Sequence, residues 1–432
     1  MIHITDKKNC CGCSACVQRC PKQCIRLEED AEGFLYPKVD EEACIKCGLC
    51  EKVCPILNQA DKLPALEVLA VKNQNEEERM NSSSGGVFLP LAREVINKGG
   101  VVFGAVYDDS WEVHHVYAEK IEDVYPMMCS KYLQSKIDDT YKETERFLKQ
   151  GREVMFVGSP CQIAGLRTFL RNKDYPNLFA VDFLCHGVPS PGVWRRYLAE
   201  TYGGHNTKVQ SRLQATDGKN TVLLSSLNAK SPIGGIKFRD KTESGWKKFR
   251  FVVRQKSASK ADKNSVLSSD IHYDNPFMRG FLSDIYLRPS CYECKCKNGV
   301  NHSDLTIGDY WAARVTDQDF DDDKGIGLVL VYSVKGQEYF EKLNDMSVRE
   351  STLEKASLCN GGFNEHTKAH PRRQLFFTLI NEGKTVEEAV NKCLFVPAYC
   401  RILSKLKSLA KSSVKRVLGD FGVKVIKKIL VK

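Results

Sequence analysis

Two cysteine-rich stretches decide the fold of the N-terminal region: CCGCSACVQRCP at residues 10–21 and CIKCGLCEKVCP at residues 44–55. Both contain the spacing Cys-x2-Cys-x2-Cys-x3-Cys-Pro, in which three close cysteines bind one [4Fe-4S] cluster and the cysteine before proline binds another. The repeat therefore predicts two clusters with crossed ligands. The first would be held by Cys10, Cys13, Cys16 and Cys54, and the second by Cys44, Cys47, Cys50 and Cys20.

The alternative explanation of these cysteines is a zinc site or a set of unrelated thiols. A zinc ion needs four ligands, usually supplied by two Cys-x2-Cys pairs, so it leaves half of the repeated pattern unexplained. Residues 1–58 are therefore predicted to form a two-cluster, ferredoxin-like module, with residues 25–39 as a hairpin between its halves. Cys11 and Cys24 fall outside the spacing and are predicted to be buried thiols that bind no cluster.

The composition is that of a soluble, globular chain with more than one domain: 432 residues, of which 27% are charged and 42% hydrophobic. The 19 cysteines would suggest disulfides in a secreted protein, but the start of the chain, MIHITDKKNC, contains no apolar signal segment. No long apolar run predicts a membrane-spanning helix. These features predict a cytoplasmic protein whose thiols bind metal or stay reduced.

The positive charge of the chain is concentrated at its C-terminal end. Residues 401–432 contain ten Lys or Arg and one acid, so they carry nine of the ten formal positive charges. Because the rest is nearly neutral, the sequence does not predict nucleic-acid binding. Apolar residues recur every three or four positions in this tail, which predicts a basic amphipathic helix in peripheral contact with the inner membrane surface. The alternative is a helix docked on the body or on a partner.

Between the module and the tail, strand and helix patterns alternate. This alternation predicts an α/β body with a mixed sheet that is largely parallel at its core. Strands are predicted at residues 66–72, 101–107, 154–157 and 178–184, and helices at 87–97, 139–150 and 161–170. From about residue 208 the predicted strands are antiparallel, at 221–227, 236–239 and 248–254, followed by a helix at 276–282 and strands at 304–307 and 327–333.

The predicted boundaries divide the chain behind the module into four parts. Residues 66–205 and 206–345 form the two parts of the body, residues 346–400 a helical extension, and residues 401–432 the tail. In parallel sheets, ligands bind beyond the carboxyl ends of the strands. Two motifs follow predicted strands in that way: GSPC at 158–161 and LCHGVP at 184–189. The segment SSSGG at 82–86 precedes a predicted helix, where it favours either a bound phosphate or ordinary helix capping.

A series of motifs in the body resembles the family of beta subunits of coenzyme F420 hydrogenases and dehydrogenases. The resemblance covers residues 66–345, with the ferredoxin-like module in front. It is carried by SSSGGVF (82–88), GGVVFGAVYDD (99–109), SKYLQS (130–135), GSPCQIAGLR (158–167), DFLCHGVPSPGVW (182–194), IKFRDK (236–241), LRPSCYEC (287–294), LTIGDYW (305–311) and DDDKGIGLVLV (321–331).

The resemblance implies an FAD bound in the body and a third [4Fe-4S] cluster beside it. The cluster would be held by Cys161, Cys185, Cys291 and Cys294, for which ordinary buried thiols are the alternative. Cys296 is left out because it lies so close to Cys294 in the chain. The residues expected near the flavin are Ser83, Ser84, Gly85, Gly86, Ser130, Gln134, Ser135 and Trp311.

These expectations describe an iron–sulfur flavoprotein oxidoreductase that exchanges electrons with a ferredoxin or a dehydrogenase subunit. Lys131 or His186 would supply a proton or hold an anion, and a structural hydrogen bond is the alternative for His186. The other substrate would be an organic molecule or a deazaflavin coenzyme, whose negative charge Arg239, Lys241 or Arg288 would meet. A non-catalytic electron-transfer subunit is the rival interpretation, because the module would serve both.

Overall fold

The computed structural model describes residues 1–203, 232–256, 265–360 and 366–395. The strand predicted at residues 221–227 and the tail at 401–432 lie outside the described residues.

The N-terminal module consists of two short helices and one hairpin. The helices are α1 (Ala15–Arg19) and α2 (Leu49–Lys52), and each follows the first cysteines of one repeat. The turns before them contain Gly12 and Gly48, whose φ angles are +72° and +71°. The strands β1 (Ile25–Glu29) and β2 (Leu35–Val39) pair antiparallel, which confirms the predicted hairpin.

The body is built around one mixed sheet of eight strands in the order β13-β3-β12-β11-β7-β6-β4-β5. The four strands β4, β6, β7 and β11 are parallel neighbours, and the remaining pairs are antiparallel. The fold class is therefore the predicted one, a mixed α/β body. The strands are β3 (Glu67–Asn73), β4 (Val101–Tyr107), β5 (Val113–Ala118), β6 (Val154–Gly158), β7 (Leu178–Phe183), β11 (Leu305–Asp309), β12 (Gly327–Val331) and β13 (Met346–Glu350).

Alternate residues of the central strands face two separate cores. Phe103 and Phe156 pack with the helices on one face, and Val102 and Met155 pack with those on the other. This period of two, with both faces buried, is what a parallel sheet between helices requires. The helices of the chain from residue 66 to 203 are α3 (Glu76–Met80), α4 (Phe88–Asn97), α5 (Ile121–Val124), α6 (Thr140–Lys149), α7 (Pro160–Phe169) and α8 (Pro191–Tyr202).

A second, three-stranded antiparallel sheet packs beside the first, in the order β10-β9-β8. Its strands are β8 (Ile233–Asp240), β9 (Arg250–Gln255) and β10 (Val266–Ile271). The predicted part 206–345 thus supplies strands to both sheets. The predicted helical extension begins with β13, an edge strand of the main sheet. The later helices are α9 (Pro276–Leu282), α10 (Ala313–Thr316), α11 (Val334–Glu341), α12 (Leu353–Ser357), α13 (Arg373–Asn381) and α14 (Val386–Leu394).

Four short 3-10 helices complete the described secondary structure, at Lys7–Asn9, Tyr125–Met127, Pro289–Glu293 and Gln318–Phe320. Among the described residues, none of the helices has the length and apolar character needed to cross a bilayer.

The module is docked firmly on the body. At the hairpin, the backbones of Gly33 and Gly192 approach so closely that a Cβ atom on Gly33 would lie 2.5 Å from the Gly192 Cα atom. Arg195 on α8 bridges Glu29 of the hairpin and Glu112 of the body. The module and the body therefore share a tight interface, and Cys13 belongs to the same core as α6 and α7.

Candidate functional site

The second predicted cluster site lies at the outer end of the module, and we refer to its cysteines, Cys20, Cys44, Cys47 and Cys50, as the outer half. All four line one small cavity. Backbone amides point at two of the sulfurs: Ile2 N lies 3.2 Å from Cys50 Sγ, and Lys46 N lies 3.4 Å from Cys44 Sγ. Such N–H···S bonds are typical of cluster-binding loops. Cys47 is exposed, so this site reaches the surface.

The first predicted site, the inner half, is formed by Cys10, Cys13, Cys16 and Cys54 and is buried against the body. Cys13 lies within electrostatic reach of Cys16 and Cys54. Burial raises the pKa of Cys16 to about 12, and the neighbouring Cys10 and Cys54 sulfurs act in the same direction. Metal binding at these buried thiols would release their protons.

A third group of cysteines collects beyond the carboxyl end of β7. Cys161 lies in the first turn of α7, Cys185 follows β7, Cys291 lies in the 3-10 helix Pro289–Glu293, and Cys294 directly follows that helix. The sulfurs of Cys161, Cys291 and Cys294 lie close enough to that of Cys185 to interact with it electrostatically. Burial raises the pKa of Cys291 to about 12. The structure thus brings together the four cysteines that the sequence places 133 residues apart in the chain, from Cys161 to Cys294.

Helix α7 joins the inner half to this third group. A Cβ atom on Gly165 would lie 2.8 Å from the Cβ atom of Cys13, so the helix touches the inner half there. Cys161 lies four residues earlier on the same face, about 5–6 Å away. Its thiol interacts with that of Cys11. The buried Cys296 lies between the two groups, within reach of Cys54 and Cys161. One helical turn therefore separates the two sites.

A large cavity opens next to the third group, at the carboxyl ends of the parallel strands. Its volume is about 660 Å³. Cys161 and Cys185 line it on one side, and every residue predicted to contact a flavin or to act as a proton donor also lines it. These residues are Ser83, Ser84, Gly85, Gly86, Ser130, Lys131, Gln134, Ser135, His186 and Trp311.

The SSSGG segment forms a tight loop at one wall of this cavity. The Ser84 hydroxyl donates to the Ile326 carbonyl at 2.8 Å, and Ser83 Oγ accepts a bond from Ser130 N at 2.7 Å. Gly85 has no room for a side chain, since its Cβ atom would lie 2.2 Å from Gly327 N. The serine hydroxyls therefore fix the loop itself. The N-terminus of α4, which follows directly, opens onto the cavity.

Lys131 is a buried amine in the wall of the cavity. Its Nζ donates to the Met128 carbonyl at 2.9 Å and lies 5.7 Å from the centre of the Tyr107 ring. Burial lowers the pKa of Lys131 to about 8. An amine with that pKa is present in both protonation states near neutral pH, which is a requirement of a proton donor.

His186 is held by a carboxylate on its far side. Its Nε2 lies 2.6 Å from Asp284 Oδ1, and its ring meets the edge of Phe281 at 5.2 Å between centroids. Its carbonyl accepts a bond from the Thr367 hydroxyl at 2.6 Å. The predicted alternative of a structural hydrogen bond is therefore present, although the residue also faces the cavity.

Trp311 belongs to an aromatic and charged group at the opposite wall. Its ring stacks on Trp246 at 4.1 Å between centroids, with an interplanar angle of 8°. Trp246 Nε1 donates to Asp309 at 2.8 Å, and Asp309 also accepts two bonds from Arg239, at 2.6 and 3.0 Å. The Arg314 guanidinium lies 4.5 Å from the centre of the Trp311 ring. These bonds and stacked rings make the wall rigid.

Of the three basic residues proposed to meet an anionic coenzyme, Arg239 lines the cavity, whereas Lys241 and Arg288 do not, which corrects the expectation for those two. Arg239 is paired with Asp309. Lys241 Nζ donates to the carbonyls of Arg79, Ser84 and Lys324 at 2.7 to 3.0 Å, where burial and the neighbouring Arg239 lower its pKa to about 7. Arg288 is fully buried against the module. Lys241 shapes the SSSGG loop, and Arg288 belongs to the docking interface.

His115 is a cavity residue that the sequence analysis missed. Its Nε2 donates to the Val157 carbonyl at 2.9 Å, so Nδ1 accepts the hydrogen bond of the Ser135 hydroxyl. Burial lowers the pKa of His115 to about 4. The residue is therefore neutral and fixes the orientation of Ser135. Its strand, β5, was not predicted, and this is why it was overlooked.

Comparison with known proteins matches the two halves of this arrangement separately. Residues 9–57 match the 4Fe-4S dicluster domain. Residues 151–355 match the C terminus of the beta subunit of coenzyme F420 hydrogenase/dehydrogenase. This second match makes 205 of the 432 residues similar to that beta-subunit family. The predicted resemblance is confirmed, and the chain joins an iron–sulfur domain to a domain of an oxidoreductase family.

Two relatives of this chain have names that refer to coenzyme F420. It is 25% identical over 185 residues to a subunit of the F420H2 dehydrogenase of Methanosarcina mazei, covering 41% of this chain and 53% of that protein. It is 29% identical over 168 residues to the coenzyme F420-dependent sulfite reductase of Methanocaldococcus jannaschii, covering 38% and 26%. The chain therefore spans about half, or less, of the length of these relatives.

A solved structure is also similar. It is a chain of the F420-reducing [NiFe] hydrogenase complex from Methanosarcina barkeri, with a TM-score of 0.42 and 15% sequence identity. The similarity covers 77% of this chain and 91% of that one.

Proposed function

We propose that the chain is an iron–sulfur flavoprotein oxidoreductase that passes electrons between a partner protein and an organic substrate. The observation that carries this proposal is the continuous series of sites. The outer half is at the surface, the inner half touches α7, and the third cysteine group lines the large cavity. Each site is adjacent to the next, which is the arrangement that a chain of one-electron carriers needs.

FAD is the cofactor that suits the cavity. Its volume of about 660 Å³ is within the range of cofactor pockets, and aromatic and apolar side chains dominate its inner surface. The α4 N-terminus beside the SSSGG loop offers free backbone amides to a diphosphate. Ser130 offers a hydroxyl group to the ring system, and Trp311 an aromatic border. Gln134 and Ser135 line the same space with side chains that Arg288 and His115 hold in place. Bound FAD exchanges single electrons with iron–sulfur clusters and electron pairs with organic substrates.

The third cysteine group would hold a [4Fe-4S] cluster between the module and this cofactor. Cys161, Cys185, Cys291 and Cys294 are its ligands in this proposal. Two amide or hydroxyl groups already point at their sulfurs: Val188 N lies 3.4 Å from Cys291 Sγ, and Ser159 Oγ lies 3.3 Å from Cys161 Sγ. Bonds of this kind set the reduction potential of a cluster.

Lys131 and His186 have different roles in the proposal. Lys131, an amine whose pKa burial lowers to about 8, holds a proton at Nζ for transfer to the substrate. His186, fixed by Asp284, positions the cavity wall behind Cys185. Asp284 accepts a hydrogen bond from His186 Nε2. This bond holds the imidazole in one orientation, so the ring cannot rotate freely toward a substrate.

The outer half is where a protein partner would deliver or receive electrons. Cys47 is exposed there, and the adjacent Ile45 is 57% exposed. An exposed apolar side chain beside a cluster ligand suits a small, transient contact with a ferredoxin or a dehydrogenase subunit. The relatives named for coenzyme F420 favour a deazaflavin as the second substrate, and an organic hydride acceptor is the alternative.

Anaerobic purification of the full chain, with iron, sulfide and flavin analysis, tests this proposal. We expect about twelve iron atoms and one FAD per chain, since each [4Fe-4S] cluster contributes four irons. Replacing Cys291 and Cys294 by serine should lower the iron content by about a third. The matched control is Cys393→Ser, which removes a buried thiol of α14 that belongs to none of these sites. About eight irons without flavin would instead support the non-catalytic electron carrier.

A further inference from the structure

Arg288 is a buried cation at the junction between the inner half of the module and the body. Its side chain has no solvent exposure. Nε donates to the Cys10 carbonyl at 2.8 Å, and Nη2 donates to the Leu35 carbonyl at 2.9 Å. Nη1 donates to Gln134 Oε1 at 2.9 Å. The guanidinium also lies 4.3 Å from the centre of the Tyr36 ring. These partners are neutral, although burial of an unpaired charge is costly.

The sulfur of Cys10 supplies the missing negative charge. Arg288 Nη2 lies 3.6 Å from Cys10 Sγ. That sulfur becomes a thiolate when it binds iron, and each added electron makes the cluster more negative. At the outer half, backbone N–H groups of Ile2 and Lys46 lie at two of the sulfurs. The cation near them, the N-terminal ammonium of Met1, is already paired with the Glu51 carboxylate at 3.0 Å, unlike Arg288. The two halves therefore contain the same cysteine motif in different electrostatic environments.

We propose that Arg288 is a positioning residue that raises the reduction potential of the inner cluster above that of the outer one. The physical reason is that a buried cation stabilises the more negative, reduced state of a cluster. A single electron that reduces the outer cluster then passes inward, oxidising the outer cluster as it reduces the inner one. This proposal rests on the assignment of Cys10 to the inner cluster.

Gln134 connects the same junction to the large cavity. Its Nε2 donates to the Cys11 carbonyl at 3.0 Å while its Oε1 accepts from Arg288. Gly12 leaves the space for both side chains, because a Cβ atom there would lie 2.5 Å from Gln134 Nε2 and 2.9 Å from Arg288 Nη1. The cation is thus fixed between the cluster loop and a residue that lines the cavity.

The test is a redox titration of the full, cluster-loaded chain followed by electron paramagnetic resonance. C10S/C13S and C44S/C47S variants identify the inner and outer signals, because each should remove one. In R288Q the inner midpoint potential should become more negative while the outer one stays unchanged, and R288K should restore part of the difference. R373Q is the matched control, since Arg373 also joins the hairpin to the body, through Glu32 and Leu287, without contacting a cysteine.

Several results would overturn the proposal. An unchanged inner potential in R288Q with full iron content would do so, as would an equal shift in R373Q, which would trace the effect to docking. Loss of the inner cluster from both R288Q and R288K, but not from R373Q, would assign Arg288 to cluster assembly instead. Failure of the cluster assignment is separate: the unmodified chain would then contain fewer than about eight irons or lack two distinct signals.

Discussion

The two halves of the ferredoxin-like module share one sequence pattern but not one environment. The outer half is lined by residues of the module alone and includes the exposed Cys47. The inner half is packed against α7 and Arg288 of the body. The pattern of cysteines thus defines the chemistry of both clusters, whereas the surrounding fold decides which one meets a partner and which one meets the body.

The largest effect is expected when a side chain is added where α7 touches the inner half. In Gly165→Val the new side chain would displace Cys13, since even its Cβ atom would lie 2.8 Å from that of Cys13. Overpacking of a core costs about 1–3 kcal/mol, and here it also disturbs a predicted ligand. We expect loss of about four irons. Full iron content with normal cluster spectra would contradict the packing described here.

A matched pair of glycines compares the two halves directly. Gly12 and Gly48 occupy equivalent turns with φ of +72° and +71°, so alanine at either costs about 1–2 kcal/mol in backbone strain. Around Gly48 the nearest atom is Glu51 Oε2 at 3.9 Å, whereas Gly12 faces Gln134 and Arg288. Gly12→Ala should therefore destabilise the chain by about 1–3 kcal/mol more than Gly48→Ala.

Chemical unfolding under anaerobic conditions measures this difference. Equal losses of unfolding free energy in both glycine variants would show that the inner half is not tightly enclosed.

Lowering the pH should destabilise the part of the cavity wall where His115 orients Ser135. The pKa of His115 is lowered to about 4 in the folded chain, against about 6.5 when unfolded. Because the unfolded state then binds the extra proton, stability falls as pH decreases from about 6.5 toward 4, by at most about 1.4 kcal/mol per pH unit. His115→Gln should remove this part of the slope between pH 6.5 and 5.

The comparison of unmodified chain and variant at each pH cancels the acid lability of the clusters. Parallel unfolding curves for the two proteins across that range would exclude a neutral, buried His115.

The smallest effect concerns the ion pairs of the hairpin. Glu29→Gln removes one partner of Arg195 but leaves Glu112 in place, so the expected loss is below about 1 kcal/mol. Glu28→Gln is the control on the same strand, since Glu28 pairs with Arg26 and Lys38 within the module. If Glu28→Gln lowers the thermal midpoint more than Glu29→Gln does, the Arg195–Glu29 pair does not contribute to docking of the module.

Much of this arrangement could be predicted from local patterns. The strand Val101–Tyr107 and the helix Pro276–Leu282 have the predicted bounds, because apolar runs and a Pro-started helix are local signals. The strands β5 and β13 of the main sheet were missed, as was β10 of the second sheet. The sequences of β5 and β13, VHHVYA and MSVRE, mix apolar and polar residues and have no continuous apolar run. Both are edge strands of the main sheet, where fewer side chains are buried and fewer of them need to be apolar.

The role of Arg288 could not be predicted for a different reason. Its partner Cys10 lies 278 positions away in the chain. Only the tertiary fold brings them together, so this buried residue was interpreted as a candidate to meet the negative charge of a deazaflavin coenzyme. His115 was missed in a similar way, since its bonds to Ser135 and Val157 join separate segments. The residues that line the cavity from motif loops were easier to predict. These loops follow strands whose ends meet at one edge of a parallel sheet.

The proposed route takes electrons from the outer half, through the inner half, to a flavin in the large cavity. Rapid mixing of the flavin- and cluster-loaded chain with a reduced small ferredoxin tests it, with cluster and flavin absorbance followed together. We predict that cluster reduction precedes flavin reduction and that C44S/C47S slows both severely. Flavin reduction at the same rate in C44S/C47S, or none in the unmodified chain, would contradict this route.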